Sequence, residues 1–106
     1  MTKMSGNRLS NLNGSHALIV GASTTIGEQF AYQLAANGLN LTLVARSEDM
    51  LQTIAKAVVE TYGVKVTVMV CDLHQGGAVD VLIAGLEGVT IDLLVVNANL
   101  LNRFLR

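Results

Sequence analysis

The sequence predicts an α/β fold, a doubly wound parallel sheet, on three observations. Short apolar runs alternate with longer stretches of three- and four-residue apolar spacing, strand then helix, between residues 17 and 96. The short runs are apolar at nearly every position, as in strands buried on both faces of a parallel sheet. The first run enters a glycine, a small polar loop and a second glycine that opens a helical pattern, ALIVGASTTIG at residues 17–27. A strand, turn and helix N-terminus in that order form a phosphate cradle, so a bound dinucleotide is expected.

The first strand is expected at residues 17–20. A helix follows at about 25–37, with Ile26, Phe30, Ala31, Leu34 and Ala35 on one stripe and Asn37-Gly38 as its stop. Residues 39–45 read as the second strand. Ser47 is a good N-cap, with Glu48 and Asp49 in the positive first turn of a helix whose stripe is Leu51, Ile54, Ala55, Val58, Val59 and Tyr62, closed by Gly63. Residues 64–70, rich in β-branched side chains, read as the third strand. A third helix starts near Gly76-Gly77, carries Val79, Leu82, Ile83 and Leu86, and closes at Gly88; residues 91–96 are the fourth strand. Residues 1–14 read as a flexible tail and 15–106 as the domain, with Leu100, Leu101, Phe104 and Leu105 on one side of a short terminal stretch.

A chain of 106 residues holds one core. With 51% hydrophobic residues, 14% charged and a net charge of -1, it carries no basic footprint for nucleic acid or anionic membrane. Its apolar runs are too short to cross a bilayer, and no signal peptide is evident, so a cytoplasmic protein is expected. The single cysteine, Cys71, excludes an internal disulfide and agrees with a reducing compartment. Cys71 reads as a small hydrophobe at a strand end, Met69 as a core filler, and His16, Tyr32 and Tyr62 as structural. His74 has no partner in evidence for work as a general base and reads as a loop or helix-start residue.

In such a sheet a ligand sits beyond the carboxyl ends of the strands, so the loops at residues 21–27, 46–49, 71–74 and 97–99 are the candidates. Their residues resemble the short-chain dehydrogenases/reductases over about residues 16–100. The family's TGxxxGxG loop corresponds to Val20, Gly21, Ala22, Ser23, Thr24, Thr25, Ile26 and Gly27; LTLVARSEDML at 41–51 is similar to the second strand of NADP-preferring members; CDL at 71–73 matches the adenine-side loop; IDLLVVNANL at 91–100 parallels IDVLVNNAGL. The resemblance implies a Rossmann-like three-layer fold with strand order 3-2-1-4 and a cofactor site made by Gly21, Ser23, Thr25, Ile26, Gly27, Arg46, Asp72, Leu73, Asn97 and Ala98. Within it, Gly21 makes the tight turn and Gly27 packs helix on strand. Arg46 stands where NAD-selective members carry an acid, which favours NADP over NAD.

Four positions depart from the family. Thr25 replaces the middle glycine, Val20 the threonine, Val96 the first asparagine of NNAG, and Asn99 its glycine. The family's catalytic serine, tyrosine and lysine lie beyond residue 106, so no catalytic residue, and no metal ligand, is expected here. The reading is an NADP-binding portion of an oxidoreductase fold, truncated after strand four, with a homo-oligomer expected through strand four and the C-terminal tail. The alternative is an inert scaffold or interaction module that retains the fold and binds nucleotide weakly or not at all.

Overall fold

The computed structural model describes residues 14–23, 25–72 and 75–96. The expectations for the tail before Gly14, for Thr24, Leu73 and His74, and for residues 97–106 lie outside the described residues. The elements are β1 (His16–Val20), α1 (Thr25–Ala36), β2 (Asn40–Ala45), α2 (Glu48–Tyr62), β3 (Val66–Val70), α3 (Ala78–Gly85) and β4 (Leu93–Val96).

Local chemistry sets the helix ends. At the end of α1, Gly38 has φ +86, its N–H donates to Ala35 O at 2.9 Å, and Leu39 N–H donates to Leu34 O at 3.1 Å. That pair of bonds consumes two terminal carbonyls, and glycine is the residue that adopts this backbone without strain. For α2, Ser47 Oγ accepts from Met50 N–H at 3.4 Å, and Gly63, at φ +72, donates its N–H to Val59 O.

All strands are parallel and the sheet order is β3-β2-β1-β4. Ile19 pairs with Leu43 and Val95; Val20 pairs with Val44 and Val96. Alternate strand residues therefore serve two cores. On one face Ala17, Ile19, Leu41 and Leu43 meet Ala31, Leu34 and Ala35 of α1 and Leu51, Ile54, Ala55 and Val58 of α2. On the other, Leu18, Val20 and Val44 meet Leu82 of α3, with Met69, Cys71 and Leu86 half-buried around them. The order runs from β1 outward to β3 and returns to β4 on the other side of β1, so α3 crosses the face opposite α1 and α2, as right-handed crossovers require.

The second face is thinner than the sequence spacing suggests. Of the expected α3 stripe only Leu82 is buried, and Val79 and Ile83 are 47% and 62% exposed. The helix, Ala78–Gly85, holds three residues of the stripe and stops one short of Leu86, but of these only Leu82 turns onto the sheet. It ends at Gly85, before the expected Gly88, and a Cβ at Gly85 would stand 2.5 Å from Met69 Cε. Three strands begin later than expected, at Asn40, Val66 and Leu93, and the residues just before β3 and β4 make isolated bonds to the neighbouring strands. Lys65 O accepts from Leu41 N–H at 2.9 Å, Lys65 N–H donates to Asn40 Oδ1 at 3.0 Å, and Asp92 N–H donates to His16 O at 2.8 Å.

At this N-terminal edge of the sheet, His16 N–H also donates to Asp92 Oδ2 at 2.8 Å, and the His16 ring nitrogen Nε2 lies 2.5 Å from Thr42 Oγ1. Thr42 is buried, so the ring satisfies a hydroxyl that would otherwise be stranded beneath the sheet. His16 is a structural residue. Gly14, assigned by sequence to the tail, donates its N–H to Gly38 O at 3.0 Å.

Candidate functional site

The carboxyl ends of β1, β2 and β3 bring three of the four candidate loops together. Gly21 follows β1 with φ +83. Its N–H donates to Val44 O at 2.8 Å, and Ala22 N–H donates to the same carbonyl at 3.1 Å. One carbonyl of β2 thus turns the loop across the top of the sheet. Ala22 is fully buried and Ser23 half-buried.

Gly27 is buried on the first turn of α1. A Cβ there would lie 2.4 Å from Gly21 O and 2.8 Å from Ala22 Cα, both backbone atoms. The helix therefore rests directly on the loop, and only a residue without a side chain permits that approach. This sets the N-terminus of α1, the positive end of the helix, directly beside the loop. Thr25 and Ile26 begin the helix with exposed side chains, Ile26 at 64%. No described residue other than glycine has a positive φ, so Thr25 adopts its backbone without strain. What it adds is a β-branched side chain at the mouth of the cradle.

Arg46 is exposed and directly follows β2, before the Ser47 cap. Cys71 N–H donates to Ala45 O at 2.9 Å, which sets the loop carrying Asp72 beside the one carrying Arg46. Asp72 is half-buried, and its carbonyl accepts from Gln75 N–H at 3.0 Å. Of the ten expected site residues, Gly21, Ser23, Thr25, Ile26, Gly27, Arg46 and Asp72 stand at this end of the sheet. Leu73, Asn97 and Ala98 lie outside the described residues. Val44 is the contributor that sequence reasoning missed; it acts through its carbonyl, which every residue type offers.

Val20 and Val96, which stand where the family carries a threonine and an asparagine, are register partners across β1 and β4. Val20 is buried and Val96 41% exposed, so an apolar pair stands at the carboxyl ends of these two strands. The tyrosines sit elsewhere. Tyr32 packs partly against the first core and donates its hydroxyl to Glu28 Oε2 at 3.0 Å. Burial, then the Glu28 hydrogen bond, push its pKa up.

Cys71 is half-buried, with Sγ 3.6 Å from Ala78 O. Burial, then the negative charge of Asp72, raise its thiol pKa above the usual range. Because the folded state holds the thiol proton more tightly, this contribution to stability is complete below the unfolded thiol pKa and is lost as pH rises through the folded value. The folded chain is therefore expected to react with iodoacetamide at pH 8 more slowly than the urea-unfolded chain; an equal or faster rate would show an activated thiol.

Among the described residues no group of three or more His, Cys, Asp or Glu could hold a metal ion, and no helix is long and apolar enough to cross a membrane.

The short chain dehydrogenase family model matches residues 15–105. The 7beta-hydroxysteroid dehydrogenase of Collinsella aerofaciens is 38% identical over 76 residues, covering 72% of this chain and 29% of that protein. The human inactive hydroxysteroid dehydrogenase-like protein 1 is 40% identical over 63 residues, covering 59% of this chain and 19% of that protein. The structure of L-sorbose reductase from Gluconobacter frateurii, complexed with NADPH and L-sorbose, superposes with a TM-score of 0.74 at 33% identity, covering 81% of this chain and 34% of that one. The chain spans about a third or less of the length of each of these proteins. With the family match running from before β1 to beyond β4 on a 3-2-1-4 parallel sheet, the chain belongs to the short-chain dehydrogenase family.

Proposed function

We propose that this chain is a dinucleotide-binding portion of an oxidoreductase fold and that it prefers NADP to NAD. The observation that carries the reading is the Gly27–Gly21 approach, at which a Cβ would come within 2.4 Å of backbone. Such packing brings the loop and the helix N-terminus together, the arrangement that suits a pyrophosphate. In this reading Gly21, Ser23, Thr25, Ile26 and Gly27 would hold the pyrophosphate and Arg46 the 2′-phosphate, with Asp72 on the adenine side; the resemblance adds Leu73 to the adenine and Asn97 and Ala98 to the ribose. A bound nicotinamide would supply or accept hydride, and these residues would hold and orient it. A reducing, cytoplasmic setting belongs to the same reading and is supported by the single cysteine.

The Thr25 side chain, exposed at the start of α1, adds β-branched bulk where the phosphates would approach the backbone. Thr25→Gly is expected to tighten NADPH binding about tenfold, or about 1.4 kcal/mol, in a calorimetric titration. Unchanged affinity would show that the cradle lost nothing at this position. The second reading, a scaffold that binds no nucleotide, draws support from the apolar Val20–Val96 pair at the carboxyl ends of β1 and β4. Failure of NADPH to bind both the native chain and Thr25→Gly would establish it.

The protein partner in this reading is a second copy, through β4 and the segment after it. Among the described residues β4 is a sheet edge, with Leu94 and Val96 58% and 41% exposed. Four apolar residues in a row leave the edge without a charge to discourage pairing. Light scattering is expected to give twice the chain mass, falling to the single mass in Leu94→Lys. A native chain of single mass would remove the partner from the account.

A further inference from the structure

We draw no further inference here: the strongest candidate, the groove between α1 and the start of α2 lined by Glu28, Asp49, Met50, Thr53 and Ile54, is a pair of carboxylates on an open surface with no second feature that points to a ligand.

Discussion

Gly27→Ala is expected to destabilise the fold by about 2 kcal/mol or more, the upper part of the range for forcing one methyl group into a filled site. The cost is high because the added Cβ meets Gly21 O at 2.4 Å and Ala22 Cα at 2.8 Å. Backbone atoms cannot swing aside as a flexible side chain can, so α1 has to lift from the loop or the loop has to leave the sheet. Lifting the loop would break its two bonds to Val44 O. Gly76→Ala is the control: a Cβ there meets nothing within 4 Å, and its effect should stay within about 0.5 kcal/mol. Urea denaturation of the three proteins measures the difference. Equal midpoints and slopes would show that the helix does not sit on the loop as described. The same variant should lose NADPH binding even where it remains folded, because the first turn of α1 would no longer face the loop.

Strands β1 and β2 were legible because they are buried on both faces of the parallel sheet, so runs such as Leu41 to Ala45 carry no polar interruption except Thr42. That residue is accommodated by His16, a partner 26 positions away that no local pattern indicates. Strands β3 and β4, at the edges of the described sheet, are largely apolar but partly exposed. Helix α2 was more legible than α3, since Ser47 and Gly63 mark its ends and Leu51, Ile54, Ala55 and Val58 its buried face, although Val59 and Tyr62 of the expected stripe are exposed. Val79, Leu82, Ile83 and Leu86, the stripe expected of α3, have helical spacing, but spacing identifies a face without saying whether anything covers it. Of that face only Leu82 is buried.

At the site, the glycines were legible because they serve by lacking a side chain. Gly21 supplies a left-handed turn and Gly27 a close approach, and few other residue types serve either purpose. The two hydrogen bonds from the loop to Val44 O were not legible, since they use no side-chain chemistry. Strand order set which loops meet. The reversal between β1 and β4 follows from pairing across residues 17–20 and 93–96, which the sequence indicates only through resemblance to the family.

The second large effect is expected at Arg46. Arg46→Ala should weaken NADPH binding about tenfold and leave NADH binding within about twofold. A charge-assisted hydrogen bond to a phosphate contributes about 1.5–3 kcal/mol. Arg46 is exposed, so solvent screening places the effect near the low end, about 1.4 kcal/mol. Raised salt should narrow the gap between the two cofactors in the native chain and have little effect in the variant. Calorimetric titration of each cofactor measures the ratio. Parallel losses for NADPH and NADH would place Arg46 outside a 2′-phosphate site and return it to the role of a solvated residue ahead of α2.

The most direct measurement is an NMR titration of the isotope-labelled native chain with NADPH, following backbone amides. The account predicts saturable shifts concentrated at Gly21, Ser23, Thr25, Ile26, Gly27 and Arg46, with the His16–Asp92 end of the sheet unmoved. Shifts absent at saturating NADPH, or centred on the α3 side of the sheet, would contradict it.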